Sequence, residues 1–516
     1  MGKWMNGYMD KLAHLQKGNI EGGGKDRINV QHQLGKLTAR ERIEKLADTG
    51  SFDEIGSAVT ETRGPFDGKE RLCPADGIIA GYAKINNRQV MVYSVDFTVM
   101  CGSLGEQAVW KLAEITKMAA QMGVPIIGMV DSAGNRIGIK RGDIGLNGLG
   151  HFMRYYNQYS GVIPRITMVL GPCIGLMSIV AVLSDFLIIN ENNGFLWLGG
   201  EKKSEEAGNA EFHMIKSGQC HLVAESDENA IDQTKELLSF LPQSCWESPI
   251  EVKTGDDPER KEEALFDIMP DDPRHTYDIH EIIDLIVDNG EFFEIQEEYA
   301  PHLITGFCRF DGQPVGIVAN NPDELSGILE PDSSDKYDRF MMFLDAFNIP
   351  LLTLVDTTAF VPGDKWEKMG IIRHGAKLLH GYANLTTRKV TIVLRRSYGG
   401  GNIVMGASKM YPDIIYGWPT MEFAPTGPET VVHAIFHKEL AKAKEEGKYD
   451  EVFNSYLSIL KEQFSVFTLG KYGTTYYTVN EIIDPRETRS KIIKALRANI
   501  NKTEYKPERK RWIRPA

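Results

Sequence analysis

The 516-residue chain is short of the features that mark specialised scaffolds. Its six cysteines (Cys73, Cys101, Cys173, Cys220, Cys245 and Cys308) are scattered and form no CxxC pair. That argues against a disulfide framework or a zinc ribbon and fits reduced thiols in a cytoplasmic protein. Positive charge is not in excess: 58 Lys and Arg against 71 Asp and Glu leave a net −13, which argues against a general nucleic-acid binder. The basic end around Lys506, Arg509, Lys510, Arg511 and Arg514 reads as a solvated tail or a partner contact. The first 20 residues hold Asp10, Lys11 and His14 and no apolar core of signal-peptide length. Asn6 stands where N-myristoylation prefers Ser or Thr. One run, residues 166–183, is 18 residues without a charge, long enough to imitate a membrane span. Gly171-Pro172 interrupts it, and Arg165 and Asp185 close it. A buried strand, a Gly-Pro turn and a buried helix are expected there, with no membrane insertion.

Familiar catalytic signatures are lacking too. There is no Walker phosphate loop, no GxSxG elbow and no HExxH. His280-Glu281-Ile282-Ile283-Asp284 starts like a zinc helix but has no second histidine. Gly142, Gly145, Gly148 and Gly150 do not have dinucleotide-fingerprint spacing, and His374 is expected to open a helix in a structural role. With no obvious nucleophile or base, backbone donors become the natural source of catalysis, and the ligands supply the reactive groups.

What is present is a repeat. Gly81-Tyr82 and Gly306-Phe307, Val90 and Val315, Pro125 and Pro350, and Asp131 and Asp356 are each 225 residues apart. Each copy predicts a Gly-punctuated β segment (78–93; 303–319), a helix (106–122; 335–347) and an aliphatic strand ending in Asp (125–130; 350–355). A polar loop, a helix, another apolar strand (165–170; 390–394) and a Gly-rich turn follow, in mixed α/β layers. The expected organisation is a helical segment 1–49, a first domain 50–245, a linker 246–275 and a second domain 276–516 with terminal helices. Thr38 and Glu41 form an expected capping box.

Two turns per copy stand out: Asp131-Ser132-Ala133-Gly134-Asn135-Arg136-Ile137 with Gly171-Pro172-Cys173-Ile174-Gly175-Leu176, and Asp356-Thr357-Thr358-Ala359-Phe360 with Tyr398-Gly399-Gly400-Gly401-Asn402. The repeat offset sets Gly134 against Ala359 and Gly175 against Gly400. Glycine turns after strands free backbone N–H groups and let a ligand approach closely. Two such donors can hold one oxyanion, each contributing roughly 2.7–4 kcal/mol to transition-state stabilisation.

At these residues the chain resembles the carboxyltransferase (beta) subunits of biotin-dependent acyl-CoA carboxylases, the propionyl-CoA carboxylase beta and methylmalonyl-CoA decarboxylase alpha family. The resemblance covers about residues 30–500 and is carried by 38–46, 160–164, Gly171-Pro172-Cys173, 345–350, 370–379 and Ser397-Tyr398-Gly399-Gly400. It implies a tandem pair of crotonase-like (ClpP/crotonase) β-β-α superhelix domains, the first for an acyl-CoA thioester and the second for biotin. It implies active sites between domains of different subunits of a homo-oligomer, a hexamer in the family. CO2 would move between carboxybiotin and the thioester α-carbon, through two oxyanion holes and without a side-chain base. By motif, the thioester donors would be the N–H groups of Gly134 and Gly175 or Leu176, and the biotin donors those of Ala359 and Gly400 or Gly401. Ala133, Asn135, Arg136, Thr358, Phe360, Tyr398 and Gly399 would line the ligands. The chain has no Ala-Met-Lys-Met attachment site and no ATP-binding domain, so biotin would arrive on a biotin carboxyl carrier protein served by a biotin carboxylase subunit. The chain departs from the family at Ala133, Asn135, Ile174, Leu176, Met177, Thr357–Ala359 and Asn402-Ile403, and Leu176 and Met177 are expected to put bulk where the thioester approaches. A decarboxylase component and a non-catalytic acyl-CoA-binding paralogue or scaffold are the alternatives.

Overall fold

The computed structural model describes residues 3–63, 71–136, 144–200, 204, 206–272, 275–407, 410, 412–465, 479–504, 506–508 and 510–515. Ile137, Gly142, Lys409 and Arg509 lie outside the described residues. The chain divides into two units, Met1–Glu247 and Ser248–Ala516.

Each unit holds one eight-stranded sheet of the same topology. In the first, the order is Asp53–Glu54, Ile78–Ile85, Arg88–Val95, Ile126–Ser132, Arg165–Ile174, Phe186–Asn190 and Leu222–Ala224, with Phe195–Trp197 paired to the end of Arg165–Ile174. The second runs Phe293–Glu294, Leu303–Phe310, Gln313–Asn320, Leu351–Thr357, Lys389–Tyr398, Ile414–Gly417 and Glu481–Ile482, with Glu422–Ala424 paired to Lys389–Tyr398. The first two pairings of each sheet are antiparallel and the rest parallel. The expected crotonase-like β-β-α repeat is therefore present in both units.

The central strands are mostly apolar before their polar ends, as strands covered on both faces tend to be; all seven residues of Ile126–Ser132 and of Leu351–Thr357 are buried. The long helix Glu106–Met122 lies where expected and ends at Gly123 in a left-handed conformation (φ 67°). In the second copy Asn348 (φ 56°) takes that place after Pro331–Ala346, asparagine being the next best residue there. The Thr38–Glu41 capping box forms, with Glu41 N–H on Thr38 Oγ1 and Thr38 N–H on Glu41 Oε2 (2.8 Å).

Residues 166–183 form nearly all of the strand Arg165–Ile174 and the helix Leu176–Val182. That helix buries Met177, Val180 and Ala181 but leaves Ile179 and Val182 exposed, so it is half-buried rather than buried as expected. The turn falls at Gly175, however, because the strand runs through Gly171-Pro172 and pairs Pro172 with Phe195. Among the described residues no helix is long and apolar enough to cross a membrane. The segment after residue 248 packs on the second unit: Val252 N–H reaches Gly312 O (3.0 Å), and Arg260 donates to Leu285 O and Val287 O. Part of the basic end is also seated there, rather than solvated. Lys506 donates to Ala383 O (3.1 Å), Arg514 pairs with Asp338, and Trp512 lies edge-on to His380.

Candidate active site

In each unit the loop after the central strand is fixed by the same two contacts. Leu104 N–H donates to Gly134 O (2.9 Å) and Leu104 O accepts from Arg136 N–H (3.0 Å); Leu329 does the same with Ala359 O (3.0 Å) and Val361 N–H (2.8 Å). A tight turn supports each loop from behind. A Cβ on Gly102 would lie 2.1 Å from Asp131 O, and one on Gly327 would lie 2.5 Å from Asp356 O, so only glycine fits either place.

The second turn closes onto the first. A Cβ on Gly134 would lie 2.9 Å from Ile174 O and 3.9 Å from Gly175 N. In the second unit a Cβ on Gly401 would lie 3.6 Å from Ala359 Cα, and one on Gly400 would touch the Phe360 ring at 3.1 Å. The turns paired by motif are thus neighbours in both units.

The register of the second turn differs from the expectation. Ser132 pairs with Cys173, and Thr357 pairs with Ser397, which is one residue earlier than a constant offset gives. Gly175 therefore corresponds to Gly399, and both hold positive φ (72° and 55°). Leu176 corresponds to Gly400 and Met177 to Gly401. The cause is one residue fewer between the two strands of the second copy.

The donors are not equivalent either. Gly175 N–H is already on Trp197 O (3.0 Å), as part of the strand pairing. Gly134 N–H is on Ser132 Oγ (3.1 Å). Leu176 is the first residue of its helix, so its N–H has no acceptor within that helix. Gly400 and Gly401 stand in the first turn of Gly399–Val404 and are in the same position.

Several expected ligand residues turn inward. Arg136 is 5% exposed, pairs with Asp76 and donates to Ser103 O (2.6 Å), which makes it a strut of the loop. Tyr398 is buried, with its hydroxyl on Glu422 (2.5 Å). Met177 is a core residue at 0% exposure, contrary to the expected steric bulk at the thioester, while Leu176 is partly buried. Ala133 and Asn135 are exposed; Thr358 and Phe360 are half-buried, and the Phe360 ring packs between Gly375 and Gly400. Cys173 is fully buried, and burial, helped by Asp131, pushes its thiol up, so it is no nucleophile. His374 opens a helix as expected and bridges Asp335 (2.8 Å). His280 lies between Asp278 (2.6 Å) and Glu294 (2.9 Å), and its hydrogen bond to Glu294 leads in raising it to about 9.

Sequence reasoning missed what anchors the loops. Asp131, at 0% exposure, is held by Lys36 (2.6 Å), Gln31 (2.9 Å) and Arg42 (3.2 Å). Arg42 also binds Asp227 (2.8 Å) and Leu170 O. Asp356 is held instead by Arg395 (2.8 Å) and Arg396 (2.7 Å) of the neighbouring strand, and by Tyr277 (3.0 Å). The signal was the contrast of Gly171-Pro172 with Arg395-Arg396. A Cβ on Gly171 would lie 2.0 Å from Asp131 Oδ1 and 2.7 Å from Lys36 Nζ, so the cation there must come from elsewhere.

The family profile of the carboxyl transferase domain matches residues 30–513. The chain belongs to the carboxyl transferase family. Among its relatives in that family is the propionyl-CoA carboxylase carboxyltransferase subunit of Haloferax mediterranei, 38% identical over 98% of each chain. Methylmalonyl-CoA decarboxylase subunit alpha of Veillonella parvula is 38% identical over 97% of this chain and 96% of its own. Carboxylating and decarboxylating carboxyltransferases thus match equally. The crystal structure of transcarboxylase 12S, a hexamer determined with hydrolysed methylmalonyl-coenzyme A bound, superposes with a TM-score of 0.92 at 37% identity over all of both chains.

Proposed function

We propose that this carboxyltransferase moves a carboxyl group between a short acyl-CoA, bound at the turns of the first unit, and biotin on a separate carrier protein, bound at the turns of the second. The observation that carries this reading is the same pair of backbone turns at the same place in two units. A single oxyanion needs one such pair, and a transfer between two ligands that each form an enolate-like oxyanion needs two. The turns offer uncharged N–H donors, which fit a neutral thioester or ureido carbonyl that gains negative charge during reaction.

In the first unit, Leu176 N–H, beside the Gly134 loop, would hold the thioester oxygen. In the second, Ala359, Gly400 and Gly401 would hold the ureido oxygen of biotin. When bound, biotin supplies the nitrogen that carries the carboxyl group. Asp131 and Asp356 lock the loops, and neither is a base, because each is fully buried and ion-paired. The biotin carrier, a biotin carboxylase and a hexameric assembly belong to the same reading.

A thermal-shift screen tests it, with acetyl, propionyl, crotonyl, methylmalonyl and glutaconyl thioesters and free CoA as control. A ligand at 100 times its Kd stabilises the fold by about 2.7 kcal/mol. A selective shift with one thioester, followed by label exchange from its carboxylated form into free biotin, is expected. Binding without exchange would favour the non-catalytic alternative.

A further inference from the structure

Both units tie the loop of their first turn to the start of a long helix, but with different side chains. In the first, the helix Glu106–Met122 begins at Gly105, which has no side chain to cap it. The Asp76 carboxylate does so from another segment, accepting Ala108 N–H (2.8 Å). Arg136, on the loop, neutralises Asp76 and reaches Ser103 O. A Cβ on Gly105 would lie 2.4 Å from Asp76 Oδ2 and 2.5 Å from Arg136 Nη1, so this pair fills the space that a cap side chain would take.

In the second unit the residue 225 positions on is Glu330, and it caps Pro331–Ala346 itself. Its carboxylate accepts Ser333 N–H (2.7 Å), the counterpart of Ala108 N–H, and Asp332 N–H (2.9 Å). Val361 stands where the first loop has Arg136, so that position offers no cation. His302 supplies the partner instead, with Nε2 3.4 Å from Glu330 Oε1 and both residues 4% exposed. Burial alone would raise the Glu330 carboxyl; His302 and the two N–H groups hold it below the usual carboxylate range. His302 is fixed to the sheet in turn, its carbonyl accepting Asn321 N–H (3.0 Å).

Leu329, next to Glu330, makes both contacts that fix the Ala359 loop. On its other side Leu325, Ser326 and Gly327 hold positive φ in succession (46°, 57° and 64°). Such a turn is unfavourable for the two residues with side chains and persists only where the surroundings over-determine it. The His302–Glu330 pair does so from the helix side. We propose that His302 and Glu330 are positioning residues for the second half-site. They hold Leu329, and through it the Ala359 donor, as Asp76 and Arg136 hold Leu104 and the Gly134 loop. This rests on the reading that the second unit receives biotin.

The test is steady-state transfer of label from the carboxylated thioester to free D-biotin by the full-length protein, varying each ligand in turn. His302→Leu removes the partner at similar size, and Glu330→Ser keeps a capping side chain that cannot reach His302. Each is expected to lower kcat about tenfold, with the thioester KM within about twofold of wild type, as displacement of one donor predicts. His302→Gln, which returns an N–H near the Nε2 position, is expected to recover most of the loss. The double variant, His302→Leu with Glu330→Ser, is expected to lose no more than either single one, because both break the same pair. Thermal melts check folding, and if His302→Leu does not fold, Glu330→Ser and His302→Gln decide the matter. Wild-type kcat in a folded Glu330→Ser or His302→Leu variant, multiplied losses in the double variant, or an equal rise in the thioester KM would overturn the proposal. No transfer to biotin by the wild type would overturn the reading of the second unit, and this proposal with it.

Discussion

Leu176 is where a single substitution separates catalysis from folding. Its N–H has no acceptor within its own helix, and proline is tolerated at the first helical position. Leu176→Pro is therefore expected to fold, with a melting temperature near that of the wild type, and, if its N–H is the oxyanion donor proposed above, to lower turnover by about 10²-fold or more. Gly175→Pro is expected to fail differently. Gly175 holds φ 72° and its N–H completes the strand pairing, so the variant should lose solubility before it loses activity. Steady-state kinetics on the soluble fraction, beside thermal melts, distinguish the two.

A second residue-scale test concerns buried lysines. Lys111 and Lys336 occupy equivalent places on the long helices and donate to backbone carbonyls: Gly56 and Ile78 for one, Gln296 and Tyr299 for the other. Burial lowers them to about 8 and about 7. Between pH 7 and pH 10 the unfolded chain binds the Lys336 proton and the folded chain does not. Stability contributed by this group thus rises with pH, by at most about 1.4 kcal/mol per pH unit. In denaturant titrations the stability of Lys336→Met relative to wild type should fall steadily over that range.

At the scale of elements, the sheets place the loops but ionic locks hold them. Arg42→Met removes the cation shared by Asp131 and Asp227 at 0% exposure and leaves two buried carboxylates underpaired. The expected cost is about 3–5 kcal/mol, read by denaturant unfolding, because breaking a buried pair strands its partners. Thr38→Ala, which removes only the cap of the Ala39–Leu46 helix, should cost about 1 kcal/mol by the same measurement.

At the scale of the whole molecule, the duplicated architecture was legible because hydrophobic periodicity and glycine spacing are local signals that a repeat doubles. Asp131 and Asp356 declare the same strand ends from sequence alone, whereas Val90 and Val315 mark the same place inside the second strand of each hairpin, Arg88–Val95 and Gln313–Asn320. Other features were not legible because long-range packing decides them. The facing of a seven-residue helix is set by its neighbours, which is why Met177 enters the core while Leu176 stays at the turn. The pairing of Asp131 with Lys36 and Arg42 has no spacing rule. The inward aim of Arg136 depends on Asp76, 60 residues away. The single missing residue that sets Gly175 against Gly399 shows only once strands are in register.

The two ways of holding the loop aspartates also give the halves different timetables during synthesis. Arg42 must bridge to Asp131, 89 residues downstream, and to Asp227, 185 residues downstream, whereas the Asp356 and Arg396 partners are 40 residues apart. At a ribosomal pace of roughly 5–20 residues per second, the first lock begins roughly 4–18 seconds after Arg42 is made and is completed by Asp227 at roughly 10–40 seconds, while the second closes within roughly 2–8 seconds. Until Asp131 emerges, the nascent amino-terminal helices carry Lys36 and Arg42 without the carboxylates that hold them in the fold. The later-made half can finish its own loop almost as soon as it emerges.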